Sequence, residues 1–293
     1  MKQKTKTYLA DFGLLYAAAI WGSTFFIVKE SLDSIDPVVM VGYRFSIAAL
    51  VLAIFLKFKK KALFTNFKEG LILGFLLWSL YIPQTIGLGY TSASNSGFIT
   101  GLFIVFVPLF TFLFQKKLPS FLKNVAILLS LIGLWFLTGG LKDANFGDLI
   151  TLITAVFYAA HLFTADLFVK KEIDPIVLSF QQFFWVGIFS FITSLAFDLP
   201  FEILTTKVVW IVLFLAFLPT LMAFVIQLVA QKFTSPIKVS LIFALEPVFA
   251  AIFAWTLGGE TFVLQNAFGG LLIFIGMILS EIPSEKIRIN SKK

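Results

Sequence analysis

The hydrophobic positions of this chain form long continuous runs, separated by short clusters of charged and turn-forming residues. Ten apolar segments each approach the ~20 residues with which a helix crosses a bilayer. Their ranges are 9–28, 35–56, 70–90, 94–115, 121–139, 148–169, 175–197, 207–230, 235–256 and 264–282. The pattern predicts an all-α integral membrane protein with ten transmembrane helices.

The composition supports the same class of protein. Of the 293 residues, 59% are hydrophobic and only 13% are charged, whereas a soluble domain carries about 25% charged residues. The chain has no Cys and one His, which excludes disulfides, thiolate metal sites and multi-histidine metal sites. No phosphate-binding loop, HExxH motif or Ser–His–Asp set is recognisable. We therefore expect no cofactor, no bound metal, no catalytic residues and no enzymatic activity.

The basic residues indicate how the chain crosses the membrane. The net charge of +7 comes from 23 Lys and Arg, which occupy short tracts between apolar segments and line no face suited to nucleic acid. When the segments alternate across a bilayer, nearly all of these residues fall on one side. Only Lys29, Lys142 and Lys207 fall on the other, while Arg44 and Lys238 lie inside segments. The positive-inside rule then predicts both termini in the cytoplasm, with 283–293 as a basic cytoplasmic tail.

The two halves of the sequence resemble each other. Four short features recur in the same order in both halves. They are Ile-Asp-Pro, which begins at Ile35 and Ile173, Thr-Ser, which begins at Thr91 and Thr234, a proline at Pro108 and Pro247, and a glycine at Gly133 and Gly276. Pairing the two prolines requires about four extra residues in the first half and places Val107 opposite Glu246. We predict a first repeat at 1–140 and a second at 147–282. Since each contains five helices, the second lies inverted in the membrane, an arrangement typical of secondary transporters.

Four short motifs carry a resemblance to a known family. They are Trp21-Gly22-Ser23-Thr24-Phe25, Tyr43-Arg44-Phe45, Thr91-Ser92-Ala93-Ser94-Asn95 and Leu245-Glu246-Pro247. Together with ten segments, they resemble the drug/metabolite transporter superfamily and its ten-helix EamA branch. The resemblance implies a multi-pass carrier in the inner membrane of a bacterium, with two inverted five-helix repeats. It also implies export, in many members, of amino acids or other small metabolites.

Glu246 lies at the centre of segment 235–256, where a charge costs about 2.5–3.5 kcal/mol on insertion scales. It is expected to face the interior of the bundle, to pair with a cation or to be protonated. Functionally it could couple protons or bind a substrate amine; structurally it could be a hydrogen-bonded contact between helices. Pro108 and Pro247 each remove a backbone hydrogen bond and are helix-kink candidates, which either line a site or simply curve the helices.

Arg44 and three residues of the first segment are candidates for lining a substrate cavity. Arg44 lies two turns into its segment, and its partner could be Glu246, a backbone carbonyl or a substrate carboxylate. Trp21, Ser23 and Thr24 lie midway along segment 9–28. Ordinary packing is the alternative for an aromatic residue in a chain with 38 Phe.

The repeat adds two further candidates, because it pairs Trp21 with Tyr158 and Thr24 with His161. Trp21 and Thr24 lie about one helical turn apart in the first half, as do Tyr158 and His161 in the second, so each two can line one face of their helix. An aromatic ring and a polar group from each half would furnish a pocket with a few orienting hydrogen bonds. For His161, a hydrogen bond between helices is the alternative to proton transfer.

Other polar side chains occur in or near the segments: Tyr81, Gln84, Asn95, Gln181 and Gln227. We include Gln84, Asn95 and Gln181 as lining candidates, although polar groups in membranes often serve only to join helices.

These features predict a secondary transporter that works by alternating access, with the substrate gradient or protons as its energy source. A small-molecule metabolite is the expected partner, a neutral or aromatic amino acid exported from the cell fits the lining, and nucleosides, drugs or polyamines remain compatible. A lipid or polyisoprenoid flippase of the same superfamily, a channel and an intramembrane enzyme are the alternatives. The shortage of catalytic groups disfavours the enzyme.

Overall fold

In a computed structural model the protein is a bundle of α-helices, and the structure describes residues 3–139, 145–256, 261–280 and 282. The helices of the first half are α1 (Gln3–Gly22), α2 (Thr24–Ser31), α3 (Pro37–Phe58), α4 (Phe67–Tyr90), α5 (Ala93–Gly101), α6 (Phe103–Gln115) and α7 (Phe121–Thr138). Those of the second half are α8 (Phe146–Lys170), α9 (Pro175–Ala196), α10 (Thr206–Leu215), a π-helix (Ala216–Met222), α11 (Ala223–Gln231), α12 (Pro236–Phe243), α13 (Glu246–Thr256) and α14 (Leu264–Ser280). These ranges contain no strand. The predicted tail at 283–293 lies outside the described residues.

Eight helical stretches of the described chain are long and apolar enough to cross a membrane, and some of them join two consecutive helices. They are Thr5–Ser31, Pro37–Phe58, Phe67–Tyr90, Asn95–Gln115, Phe146–Lys170, Pro175–Ala196, Thr206–Gln231 and Pro236–Phe253. Two shorter apolar helices, Phe121–Leu137 and Leu264–Ser280, occupy the ranges predicted for the fifth and tenth segments. The all-helical fold is therefore confirmed, with eight helical stretches that could cross a membrane.

The start of α3 and the start of α9 are built in the same way. The Asp36 side chain accepts hydrogen bonds from the N–H groups of Val38 at 2.8 Å and Val39 at 3.2 Å. Asp174 plays the same part for α9, with Ile176 at 2.9 Å. In both helices a proline follows the capping residue, where its missing N–H costs no hydrogen bond and its fixed φ favours the first turn. The two helices then pack against each other.

Four of the long spans are interrupted near their middle. Ser23 separates α1 from α2, Leu102 separates α5 from α6, Ala244 and Leu245 separate α12 from α13, and the π-helix divides the span 206–231. Ser23 and Leu102 each follow a glycine, the weakest helix former after proline. Pro247 and Pro219 explain the other two interruptions, because proline removes a backbone N–H from the helical ladder.

The interruption in the fourth span is not at Pro108, where the sequence predicts a kink. Instead, α6 continues through Pro108 and the break lies at Leu102. Leu102 follows the capping Ser92 at the same spacing at which Leu245 follows the capping Ser235. This register pairs Glu246 with Phe103, and it requires no extra residues in the first half, unlike the predicted pairing with Val107.

Candidate functional site

A small internal cavity lies at the centre of the bundle, beside the interruptions in the first, eighth and ninth apolar segments. Its walls come from α1, α2, α3, α4, α8, α11 and α13, and its volume is about 30 Å³, enough for one or two water molecules. Six of the ten residues predicted to line a cavity do so here: Trp21, Thr24, Arg44, Gln84, Tyr158 and Glu246.

Glu246 occupies the first turn of α13, directly after the break that follows α12. Its side chain reaches the cavity although the residue is only 6% exposed. Free N–H groups at the start of a helix favour a negative charge nearby, so the break lowers the penalty for a carboxylate in this position. Among the described residues, no Lys, Arg or His lies within ion-pair distance of this carboxylate.

A glycine brings the first helix onto the start of α13. A Cβ atom at Gly22 would lie 2.4 Å from the Glu246 carbonyl oxygen and 2.9 Å from the Ala250 nitrogen. Only glycine permits this approach. The break at Ser23 and the break before Glu246 are therefore held side by side at the cavity.

Arg44 enters the cavity from α3 and is 3% exposed. Its Nε donates a hydrogen bond of 2.9 Å to the Thr220 hydroxyl in the π-helix. The guanidinium carbon lies 4.8 Å from the centre of the Tyr81 ring, a cation–π contact. One guanidinium nitrogen, Nη2, has no partner among the described residues. The sequence did not decide the partner of Arg44; in the structure the partners are Thr220 and Tyr81. The Nη2 nitrogen could still donate hydrogen bonds to a ligand.

Four aromatic rings pack together beside the cavity: Trp21, Tyr158 and Phe224, which line it, and Phe243. The Trp21 ring centre lies 4.9 Å from both phenylalanine rings and 6.3 Å from the Tyr158 ring. The indole N–H of Trp21 donates to the Pro219 carbonyl at 2.7 Å. The predicted neighbours Trp21 and Tyr158 are therefore brought together, in a packed layer that we call the aromatic layer.

The hydroxyls of the first break bond to their own helix. Ser23 donates to the Ile20 carbonyl at 2.6 Å, and Thr24 donates to the Trp21 carbonyl at 2.8 Å. Such bonds satisfy carbonyl groups that the break would otherwise leave free. Thr24 still lines the cavity, whereas Ser23 is not among its lining residues.

Asn95, His161 and Gln181 also lie outside the cavity walls. Asn95 lies in the first turn of α5, where its N–H donates to the capping Ser92 hydroxyl at 3.0 Å. The His161 Nε2 and the Gln182 side-chain oxygen are 2.9 Å apart. Gln181 donates to the Leu63 carbonyl at 2.7 Å. The structure therefore places these three in packing contacts between or at the ends of helices.

Tyr81, Thr85 and Phe224 also line the cavity, although the sequence did not single them out as lining residues. On α4, Tyr81, Gln84, Thr85 and Leu88 recur at intervals of three and four and share one face. Gln84 on this face donates to the Thr100 hydroxyl at 3.2 Å. That spacing is a signal by which Tyr81 and Thr85 could have been found. No sequence feature distinguished Phe224 from the other phenylalanines of the chain.

Side chains that commonly bind metal ions are sparse at the cavity: among its described lining residues, Glu246 is the only His, Cys, Asp or Glu. Within the part of the chain that the structure describes, no three His, Cys, Asp or Glu side chains lie close enough together to hold a metal ion. The polar groups at the cavity can instead bind a small organic molecule by charge and hydrogen bonds.

Comparison with known proteins decides the family. The model of the EamA-like transporter family matches residues 8–139 and 145–281. The chain belongs to this family. This EamA-family chain is 34% identical over 274 residues to an uncharacterized transporter of Archaeoglobus fulgidus, covering 94% of this chain and 86% of that protein. It is 29% identical over 161 residues to the uncharacterized inner membrane transporter YedA of Escherichia coli, covering 50% of each protein.

A solved crystal structure shares the fold, with a TM-score of 0.81 over 98% of this chain and 99% of the other. At 16% identity this likeness concerns the fold alone. Taken together, the family and its relatives identify a membrane transporter of the EamA type within the drug/metabolite transporter superfamily, and they favour a transporter over an enzyme.

Proposed function

We propose that this protein is a secondary transporter that exports amino acids or similar zwitterionic metabolites across the cytoplasmic membrane of a bacterium. Alternating access between two inverted five-helix halves, residues 1–140 and 147–282, would carry the substrate across. Both termini lie in the cytoplasm in this proposal. The substrate occupies the cavity between α1, α3, α4, α8, α11 and α13.

One observation carries the choice of substrate. Glu246 and Arg44 line the same cavity, yet no ion pair joins them among the described residues. Each charge is therefore free to meet an opposite charge on a ligand. A zwitterion offers an ammonium group to Glu246 and a carboxylate to the unpaired nitrogen of Arg44, so that both buried charges are matched at once.

The remaining walls of the cavity favour a small substrate with a neutral side chain. Trp21, Tyr158 and Phe224 supply aromatic surface, while Thr24 and Gln84 supply neutral polar groups. Among the described residues, no further charged side chain lines the cavity. An apolar or aromatic amino-acid side chain fits such walls better than a charged one does.

The small volume of the cavity supports a mechanism with a conformational change. About 30 Å³ is too little space for an amino acid, so binding requires the helices around the cavity to separate. The breaks at Ser23 and before Glu246, together with the π-helix, are irregular segments of backbone beside the cavity. In this proposal they act as hinges for the separation of the helices.

The proposal of ten spans in two inverted halves draws on several features. The family model matches one stretch in each half, and Asp36 and Asp174 cap equivalent helices with the same bonds. Ten spans follow if α7 and α14 cross the membrane beside the eight long spans. Five spans in each half then give the halves opposite orientations.

Proton coupling through Glu246 is part of the proposal. A buried carboxylate without a cation is unfavourable in a membrane interior, so an empty transporter is expected to bind a proton there. Arrival of a substrate ammonium group would displace that proton. Uptake of protons and export of substrate would then share one carboxylate.

The flippase alternative finds less support in the cavity. A lipid carrier needs a lateral opening that leads to its site. A groove between α1 and α11 does face the outside of the bundle, but its lining residues, which include Leu9, Gly13 and Ile226, are all different from those of the central cavity.

The experiment that tests the function is mass spectrometry of the growth medium of a bacterial host. Cells would produce the wild type, Glu246→Gln, Arg44→Gln or Glu30→Gln at matched membrane levels, with an empty vector as reference. Glu30 is an exposed control whose carboxylate lies 3.7 Å from Lys207. We expect amino acids to accumulate with the wild type and Glu30→Gln only.

Proteoliposomes then test each amino acid found, by exchange of labelled against unlabelled substrate and by the response to an imposed pH gradient. Exchange distinguishes a carrier from a channel. If the wild type neither releases nor exchanges any amino acid, the substrate assignment is wrong. If Glu246→Gln keeps the response to the pH gradient, the coupling assignment is wrong.

A further inference from the structure

A second group of polar side chains is buried away from the central cavity, between α8, α9 and α11. It consists of His161, Gln182, Gln227 and Gln231, each with no exposed surface. We call these four residues the polar cluster. None of them lines the central cavity.

Short contacts join the polar cluster across three helices. His161 Nε2 lies 2.9 Å from the Gln182 side-chain oxygen. Gln227 donates to the Gln231 oxygen at 3.2 Å, and Gln231 donates at 2.9 Å to the carbonyl of Leu162, the residue after His161. The two pairs of side chains are therefore linked through α8, one pair at the His161 ring and the other at the carbonyl of the next residue.

This patch is only partly satisfied. Within the described part of the chain, His161 Nδ1, the Gln182 amide nitrogen and the Gln227 amide oxygen have no hydrogen-bond partner. Buried polar atoms without partners are rare in folded proteins because each has lost its bonds to water. The three atoms can therefore bond to water or to a polar ligand that reaches the polar cluster in another conformation.

The aromatic layer adjoins both the central cavity, which Trp21, Tyr158 and Phe224 line, and the polar cluster. His161 follows Tyr158 by nearly one turn of α8, and its ring lies 6.0 Å from the Phe224 ring. From there the cluster continues to Gln231, the last residue of α11. In the proposed topology, α8 and α11 both end at the cytoplasmic face. The order from the cavity towards the cytoplasm is thus aromatic layer, polar cluster, and end of the bundle.

We propose that the polar cluster lines the cytoplasmic half of the transport path and binds water or the polar groups of the substrate when the aromatic layer opens. This inference rests on the proposed function, because it assumes that the central cavity opens alternately to both sides. Imidazole and amide groups present donors and acceptors without a net charge. Such neutral groups can bind a hydrated zwitterion weakly as it passes. Glu246 and Arg44, which can carry charges, would bind it more tightly in the central cavity.

The test uses cysteine accessibility, for which the chain is suited because it has no Cys of its own. Gln182→Cys and Gln227→Cys place a thiol on two different helices of the cluster. Val186→Cys on α9 and Leu228→Cys on α11 are matched controls, since both residues are fully buried and apolar. A membrane-impermeant thiol reagent is applied to inside-out and to right-side-out vesicles, and labelling is followed by mass spectrometry.

We expect the two cluster cysteines to label from the cytoplasmic face about tenfold or more faster than their controls, as opening exposes one region selectively. Equal rates for cluster and control residues, or labelling from the outer face alone, would overturn the proposal. If both cluster variants fail to fold, the wild type replaces them, because His161 is the only histidine. Its modification by diethyl pyrocarbonate is expected, and an unmodified His161 would contradict the proposal.

Neither readout requires a known substrate, so the two proposals can fail separately. Labelling of the cluster without release of any amino acid would keep the cytoplasmic opening and reject the substrate assignment. Amino-acid exchange without modification of the cluster would keep the transporter and reject the path.

Discussion

Gly22 and Glu246 are in direct backbone contact across two helices, so close that a Cβ atom at Gly22 would lie 2.4 Å from the Glu246 carbonyl oxygen. The contact joins the end of α1 to the start of α13. It therefore ties the position of the buried carboxylate to the break in the first span, and a change at either residue is expected to affect both.

Gly22→Ala is expected to destabilise the protein by about 1–3 kcal/mol, as overpacking of a tight contact does, and to reduce transport. The Glu246 carbonyl, Ala250 and Phe249 all leave too little room for the added carbon. Gly97→Ala is the matched control, because nothing lies within 4 Å of a Cβ at Gly97. Thermal unfolding of the detergent-solubilised variants measures the difference, and equal midpoints for both would show that the contact is not tight.

Thr220→Val is expected to destabilise the protein by about 1–3 kcal/mol, the range for a buried group that loses its partner. The substitution removes the hydroxyl that accepts the 2.9 Å hydrogen bond from Arg44 Nε while nearly keeping the volume. Thr220→Ser keeps the hydroxyl and should retain most of that stability. Thermal unfolding again gives the comparison. If Val is tolerated as well as Ser, the guanidinium does not depend on this bond.

Glu246→Gln is expected to fold at least as stably as the wild type but to lose transport. The carboxyl group has no cationic partner among the described residues, so it must bind a proton or carry a charge that is unfavourable in the membrane interior. The neutral amide of Gln avoids both costs. The two measurements are the unfolding midpoint and amino-acid exchange in proteoliposomes. A large loss of stability would instead indicate that the carboxylate has a structural role, as in a hydrogen-bonded contact between helices.

Asp174 predicts a pH dependence at the surface of the bundle. Burial alone would raise the pKa of Asp174, but hydrogen bonds from Lys61 and from the N–H groups of Ile176 and Val177 outweigh it and hold the pKa below its ordinary value. A carboxyl group with a lowered folded-state pKa adds stability above its unfolded-state pKa, about 3.9. That stability is lost as the pH falls through the folded-state pKa.

We therefore expect the wild type to be more stable than Asp174→Asn near neutral pH, by less than about 1 kcal/mol because the ion pair is partly exposed. The difference should shrink as the pH falls below about 4. Unfolding midpoints across a pH series measure it, and Asp36→Asn serves as the control for a capping aspartate at the equivalent position. A difference that grows towards low pH would show that the folded state does not lower the pKa of Asp174.

Much of the fold follows directly from the sequence. Apolar runs of about 20 residues have few alternatives to membrane helices, because only a helix satisfies its own backbone inside a bilayer. Asp36 and Asp174 before prolines mark helix starts, and the structure places caps at both. The break in the fourth span shows where such reasoning ends, since it lies after Gly101 and not at Pro108, which is inside α6.

The candidate site was predictable only in part. Buried charges such as Glu246 and Arg44 stand out in an apolar sequence because burying them is costly, and both line the cavity. Neutral polar residues do not stand out in this way. A hydroxyl or an amide in a membrane helix can bond to its own helix, as Ser23 does, or to a loop, as Gln181 does, or line a cavity.

The sequence by itself determined the class of protein, the positions of the helices and the presence of two unusual charges within them. Hydrophobicity, helix capping and the cost of burying a charge act locally or along one helix, so their effects can be predicted from the sequence. Tertiary structure alone decided that Glu246 and Arg44 share a cavity without pairing, that Thr220 and Tyr81 hold the guanidinium, and that His161 lies beyond the aromatic layer. These relations depend on close approaches such as that at Gly22, and one sequence does not record which helices approach each other.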